Sequence, residues 1–377
     1  MQNNYAPTRI QKIQDNYVLW FENSNRYVIV DDFNYKLLNL FLTSTSKNQF
    51  IAELTQLDFL NKEEPEAIYN SLNEFLLSCH KKHPKNVEPA TVLDKTKKYL
   101  SEYYYIYEKA IIINYDSELS KSLIHPSYAH LSSKELKGVS SSVFHIEQRG
   151  NYLYLFKNGM LCEAYNTVDY HLLQGKFAIE LLCALTDTSE ADWMATFHAT
   201  TIANDTQAIM LVGASGQGKS TLTALLTQNG FDLVADDFTP MLDSQLICSY
   251  PAAISIKSGA FDIVKSYYAN FATLPISNLR ANKGPIKYIW PPDTLSKYRT
   301  YSCKNIVSVH YKEGAKTQFK RNSAEKVLNI LIPDSWISPD KTHAKQFLDW
   351  LCNINYYELT YSNHRDVGDL FTKVLKT

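Results

Sequence analysis

The chain has 377 residues, 45% of them apolar and 20% charged, with a formal net charge of −1. That length exceeds one ordinary domain and that apolar fraction can fill more than one core, while the near-zero charge removes any general drive toward nucleic acid or an anionic membrane surface. No stretch of about 18 apolar residues occurs and the opening MQNNYAPTRI carries no apolar signal segment, so the expectation is a cytoplasmic protein without a membrane partner.

Residues 1–85 read as a small α+β module. Residues 17–20 and 26–31 are strand-like runs around the polar turn Glu22-Asn23-Ser24-Asn25, a hairpin pattern. From Asp32 the apolar spacing turns helical, with Leu37, Leu38, Leu40 and Phe41 on one face. Residues 50–57 and 65–77 supply two more helices, the last with Ile68, Leu72, Phe75 and Leu76 as its stripe.

This order of hairpin and three helices resembles the PqqD-like peptide-recognition domain, a winged-helix-like fold. The resemblance implies capture of a leader peptide as an added strand, with Tyr27, Val28, Ile29, Val30 and Asp31 as the pairing strand and Leu37 and Phe41 beneath it. The same pattern also suits a winged-helix accessory domain used for dimerisation or DNA. The acidic third helix, EEPEAIYNSLNEFLLSCH, argues against DNA, where a recognition helix is basic.

Residues 81–86, KKHPKN, read as the start of a linker. His80 and His83 flank this point beside Cys79, but no second ligand pair follows at zinc-finger spacing. The other cysteines, Cys162, Cys183, Cys248, Cys303 and Cys352, form no C-x-x-C pair, so the thiols read as reduced. Residues 86–195 look β-rich: SEYYYIYEKAIIINYD and the runs 142–147, 152–156 and 160–165 suggest an antiparallel layer, followed by a helix over 170–185. The tyrosines at 103–105 fit alternation on a half-buried strand better than a base-stacking cluster.

The most informative stretch is AIMLVGASGQGKSTLTALLTQNGFDLVADD, residues 208–237. An apolar strand, a glycine-dense loop and a leucine-spaced helix follow one another, and Gly213, Gly218, Lys219 and Ser220 fill G-x-x-x-x-G-K-[ST]. In such a P-loop the backbone N–H groups of Gly213, Ala214, Ser215, Gly216, Gln217 and Gly218 turn around an anion at a helix start that includes Thr221, Lys219 reaches the phosphates, and Ser220 ligates Mg²⁺. The next apolar run ends in Asp236 and Asp237. Neighbours at a strand end point to opposite sides, so one carboxylate can face the metal and the other an attacking hydroxyl.

GASGQGKS followed by GFDLVADD resembles the catalytic domain of the HPr kinase/phosphorylase family, P-loop kinases akin in fold to phosphoenolpyruvate carboxykinase. FHATTI places His198, expected on a strand, fifteen residues before Gly213, matching that family's histidine near the active site. The resemblance implies an α/β kinase domain over 86–377, with its nucleotide-binding core at 196–377, ATP and Mg²⁺ as cofactors, and homo-oligomers among its relatives. Asp236 is then read as the base and Asp237 with Ser220 as the metal ligands, the two acids being exchangeable, with His198 orienting Asp236 or meeting the γ-phosphate. Lys257, Lys283 and Lys287 are candidates for neutralising phosphate charge in a strand and a loop downstream. The chain lacks the family's E-[IV]-R-G-L-G-type motif and its arginine-rich loop, which separates it from phosphorylation of HPr itself.

Together the two resemblances look like a tailoring kinase of ribosomally made peptides, lasso peptides among them, acting on a serine hydroxyl of a precursor peptide. The alternatives are a kinase for a small metabolite such as free serine and a non-catalytic, nucleotide-gated peptide-binding protein.

Overall fold

In the computed structural model, which describes residues 5–56, 65–82, 91–136, 138–278, 284–291, 297–363 and 367–374, the chain opens on a three-stranded antiparallel meander. Its strands are β1 (Arg9–Ile13), β2 (Asn16–Phe21) and β3 (Arg26–Asp31), with β3 on an edge. The hairpin expected here gains β1, whose mostly half-exposed side chains lack the apolar alternation of a buried strand. Three helices follow, α1 (Asp32–Thr43), α2 (Lys47–Thr55) and α3 (Pro65–Cys79). Asp31 acts as the N-cap of α1, its carboxylate accepting the Asn34 N–H at 2.7 Å.

A six-stranded sheet comes next, in the order β6-β4-β5-β7-β8-β9. It contains β4 (Leu100–Ile106), β5 (Lys109–Tyr115), β6 (Ser132–Ser133), β7 (Ser140–Arg149), β8 (Tyr152–Lys157) and β9 (Met160–Asn166), covered on its inner face by α4 (Glu118–Tyr128) and α5 (Tyr170–Thr186). The layer is mixed rather than purely antiparallel. Helix α4, which the sequence hides behind serines and Pro126, carries the chain across so that β5 and β7 pair in parallel. The turn between β4 and β5 is also silent in the sequence: Tyr107 and Glu108 adopt φ of 47° and 64° without a glycine.

The remaining strands are β10 (Trp193–Phe197), β11 (Thr200–Ala203), β12 (Gln207–Val212), β13 (Asp232–Ala235), β14 (Thr239–Leu242), β15 (Leu246–Cys248), β16 (Ile254–Lys257), β17 (Ile286–Ile289), β18 (Thr300–Tyr311), β19 (Gln318–Arg321), β20 (Trp336–Ile337) and β21 (Asn355–Tyr361). Among them run the helices α6 (Lys219–Thr227), α7 (Phe261–Lys265), α8 (Ala324–Leu331), α9 (Lys341–Cys352) and α10 (Val367–Val374). Most of these strands form one sheet with the path β13-β11-β12-β18-β15-β14-β10-β20, β21 pairing with the second half of β18 and with β19. Strands β16 and β17 make a separate two-stranded ribbon. No helix among the described residues is long and apolar enough to cross a membrane.

The opening meander is buried on both faces. Leu19 and Phe21 pack with Leu37, Phe41, Phe50 and Leu76 of its own helices. From the other face Val18 and Trp20 join the core of the large sheet with Leu328, Phe347 and Leu351 of α8 and α9. Asn25 Nδ2 donates to the Ile337 carbonyl at 2.6 Å and the Ala324 N–H donates to Gln14 Oε1 at 2.8 Å, fastening the two parts. Tyr27 stands in this seam, edge-on to Phe347 at 5.4 Å, and its buried hydroxyl has no hydrogen-bond partner among the described residues. A buried hydroxyl without a partner costs about 1–3 kcal/mol. Tyr27→Phe should therefore hold or raise the urea midpoint, whereas Tyr27→Ala should lower stability by about 3 kcal/mol through the cavity it leaves.

Candidate functional site

Strand β11 lies antiparallel between β12 and β13, so β12 and β13 run the same way, and β18 and β21 run parallel to β12. The carboxyl ends of four strands and the amino end of β11 therefore share one edge. That edge receives the loop after β12, the acids after β13, and His198 just before β11. It is where ligands sit in open α/β sheets.

The loop is glycine-bound by packing as well as by turn geometry. A Cβ on Gly213 would lie 2.9 Å from the Val309 carbonyl oxygen, and Gly218, at φ +90°, would place one 2.7 Å from Tyr361 Oη. The Gln217 N–H closes a turn on the Ala214 carbonyl, and the Tyr311 N–H donates to the Gln217 carbonyl, both at 3.2 Å. Helix α6 starts at once, with Gly218 at its N-cap and no side-chain cap, so its first-turn N–H groups, Thr221 among them, face the loop. Lys219 is 7% exposed, and its ammonium folds back to donate to the Gly213 carbonyl at 2.5 Å. Lys257 Nζ reaches from β16 to Ser215 Oγ at 2.6 Å, tying the ribbon to the loop's tip.

The two acids are separated by environment. Asp236 is 4% exposed: its Oδ1 accepts from Thr200 Oγ1 at 2.7 Å and Ser220 Oγ at 3.1 Å, and its Oδ2 accepts the Ser255 N–H at 2.9 Å. Burial first, and then the charge of Asp237, push its carboxyl above the ordinary range against the pull of these bonds. Asp237 turns outward, its side chain 47% exposed, with Oδ1 4.0 Å from His198 Nε2 and Oδ2 accepting from Ser255 Oγ at 3.4 Å.

Two expectations change here, and the geometry of the exchangeable acids is seen. Strand β13 stops at Ala235, and the acids diverge because Asp237 is left-handed, at φ +59°, and not through strand pleating. The carboxylate that meets Ser220 is Asp236, and Asp237 does not. His198 occupies the break between β10 and β11, off any strand, and faces Asp237 instead of Asp236.

Of the downstream lysines, Lys257 stands at the loop and Lys283 lies outside the described residues. Lys287 is turned away. It pairs with Ile256 across the ribbon, on the face opposite to Lys257, and spends its charge on the Phe271 and Ala272 carbonyls at 2.8 and 2.9 Å and on the rings of Phe261 and Phe271. Thr200, Ser255 and Tyr288 enter the site without a signal of their own. Thr200 lies inside FHATTI, but its partner is 36 residues away. Tyr288 is opposite Ser255 in the ribbon and hydrogen-bonded to Ser127; burial, reinforced by the two aspartates, pushes its pKa up to about 12.

Among the described residues no group of three His, Cys, Asp or Glu side chains is placed to hold a metal ion. A hydroxyl and a carboxylate alone suit Mg²⁺, which keeps several waters and takes its remaining ligands from a phosphate substrate. Ser220 and Asp236 fit that role, with Lys219 and the loop N–H groups beside them for phosphate.

No family model matches the sequence, and no curated protein does. Among solved structures, the Hpr(Ser) kinase/phosphatase from Coxiella burnetii is similar at 13% identity over 48% of this chain and 93% of that chain, with a TM-score of 0.23. So loose a superposition leaves the site to stand on its own geometry.

The raised carboxyl has a thermodynamic consequence. A folded-state pKa above the unfolded one means that the folded state holds the proton more tightly, so Asp236 leaves stability intact at low pH and subtracts from it as pH rises through the raised value. Asp236→Asn should flatten the fall of melting temperature between acid and neutral pH in metal-free protein, and should abolish any Mg²⁺-dependent rise at neutral pH. Thermal melts across pH, with and without Mg²⁺, check both.

Proposed function

We propose that the protein is an ATP- and Mg²⁺-dependent kinase that phosphorylates a hydroxyl, a serine on a peptide presented by the N-terminal module. The observation that carries the reading is the meeting of Ser220 with a buried Asp236 beside the glycine loop, while Asp237 faces outward at the same edge. Ser220 and Asp236 would hold the ion, which when bound would offset charge on the phosphates. Lys219 leaves the Gly213 carbonyl for the phosphates, and Lys257 leaves Ser215 to follow. Asp237 accepts the proton of the acceptor hydroxyl as its oxygen bonds to the γ-phosphorus and the bond to the β-phosphate bridging oxygen breaks, releasing ADP. His198 holds Asp237 in position.

For the peptide, the support comes from β3. Among the described residues no backbone–backbone hydrogen bond is made on its outer edge. Where it passes into α1 a groove of about 570 Å³ opens, lined by Phe33, Tyr35, Leu37 and Leu40 with Asp32 and Lys36. Main-chain pairing along that edge, with apolar side chains in the groove, is strand addition. Phe41, only 1% exposed, is core beneath the groove, and Tyr27 and Ile29 face the core of the large sheet, so Val28 and Val30 are the residues of β3 on the side of the module's own helices. A second reading, a kinase for free serine or a similar metabolite, draws on the core shared by β2 with α8 and α9, which gives the module a structural role.

Incubation with Mg-ATP and either a precursor peptide or free serine separates the readings by which of them gains ~80 Da. Asp237→Asn should lower transfer at least about 100-fold while Mg-nucleotide binding persists. Binding with no transfer to any acceptor in the wild type would leave a nucleotide-gated binding protein instead.

A further inference from the structure

The kinase reading says where the reacting end of the nucleotide lies and is silent about the base. Asp236, Asp237 and His198 sit at the ends of β13 and β11, to one side of β12 in the sheet. The phosphate that is transferred must lie on that side. The remainder of the nucleotide, passing the loop and the first turn of α6, then leaves on the other side of β12, over the ends of β18 and β21.

Those ends carry two tyrosines. Tyr361 is fully buried, its hydroxyl donating to the Gly218 carbonyl at 3.3 Å. Tyr311 is 37% exposed and fixed to the loop through its own N–H on the Gln217 carbonyl. Its ring meets Tyr361 edge-on, at 5.6 Å between centroids and 73° between planes. A part-exposed aromatic ring held at a loop of this kind by its backbone and packed against a second ring is a rigid stacking surface at the correct end of the site.

We propose that the nucleobase lies against Tyr311, on the opposite side of β12 from the acid pair. The proposal rests on the nucleotide reading above and adds to it the place of the base. Stacking on a π-face is tolerant of base identity, so adenine and guanine nucleotides should bind within a few-fold of one another.

Calorimetry of the full chain with Mg-ATP and Mg-tripolyphosphate tests it, since the second ligand lacks a base. Tyr311→Ala should weaken Mg-ATP by roughly tenfold or more and leave tripolyphosphate unchanged, and Tyr311→Phe, which keeps the ring, should retain wild-type affinity for both. Unchanged ATP affinity in the alanine variant, or equal losses for both ligands, would overturn the assignment of the base. Failure of the wild type to bind either ligand would instead sink the nucleotide reading, and this one with it.

Discussion

Asp236 is a carboxylate taken almost entirely out of water, and most of the surrounding architecture is what it takes to hold one there. A buried charge without partners is among the least tolerable groups in a protein. Here donors from three elements converge on it: the Thr200 hydroxyl from β11, the Ser220 hydroxyl from α6, and the N–H and hydroxyl of Ser255 from β16. Even so, burial and the neighbouring Asp237 leave its ionised form disfavoured. A divalent ion at Ser220, as the proposed function requires, would reverse that balance by favouring the ionised carboxylate.

The same economy of position governs the loop. Gly213 and Gly218 are pressed against β18 and β21, so the loop's shape depends on two strands that lie far downstream in the chain. The parallel trio β12, β18 and β21 gives the loop a floor, and the antiparallel insertion of β11 lets β13 deliver its acids to the same edge. Asp237 then leaves the strand in a left-handed conformation, which turns its carboxylate outward toward His198. A single turn of backbone leaves one acid buried against Ser220 and the other facing outward.

The N-terminal module is an extension of this core as well as a fold of its own. Its strand β2 has apolar side chains on both faces, one set for its own helices and one for α8 and α9, and such a strand cannot be lifted away without exposing Val18 and Trp20. Among the described residues the outer edge of β3 is left unpaired, and a groove lined by α1 starts at Asp32.

Much of this was legible in the residues. The strand–loop–helix at 208–227, the glycines, Lys219, Ser220 and the acid pair are local patterns, and local backbone preferences and apolar periodicity are written in consecutive residues. The helix over 170–185 and the strand of β3 are legible for the same reason. Helix α4, the turn at Tyr107-Glu108 and β1 were not, because their conformations are imposed by neighbours. Which aspartate meets Ser220, that Lys287 turns to the Phe271 and Ala272 carbonyls, and that Thr200 and Ser255 complete the site were decided only in three dimensions. Each of those outcomes depends on partners tens of residues distant, and on one backbone angle at Asp237, and neither is encoded in the spacing of residues along the chain.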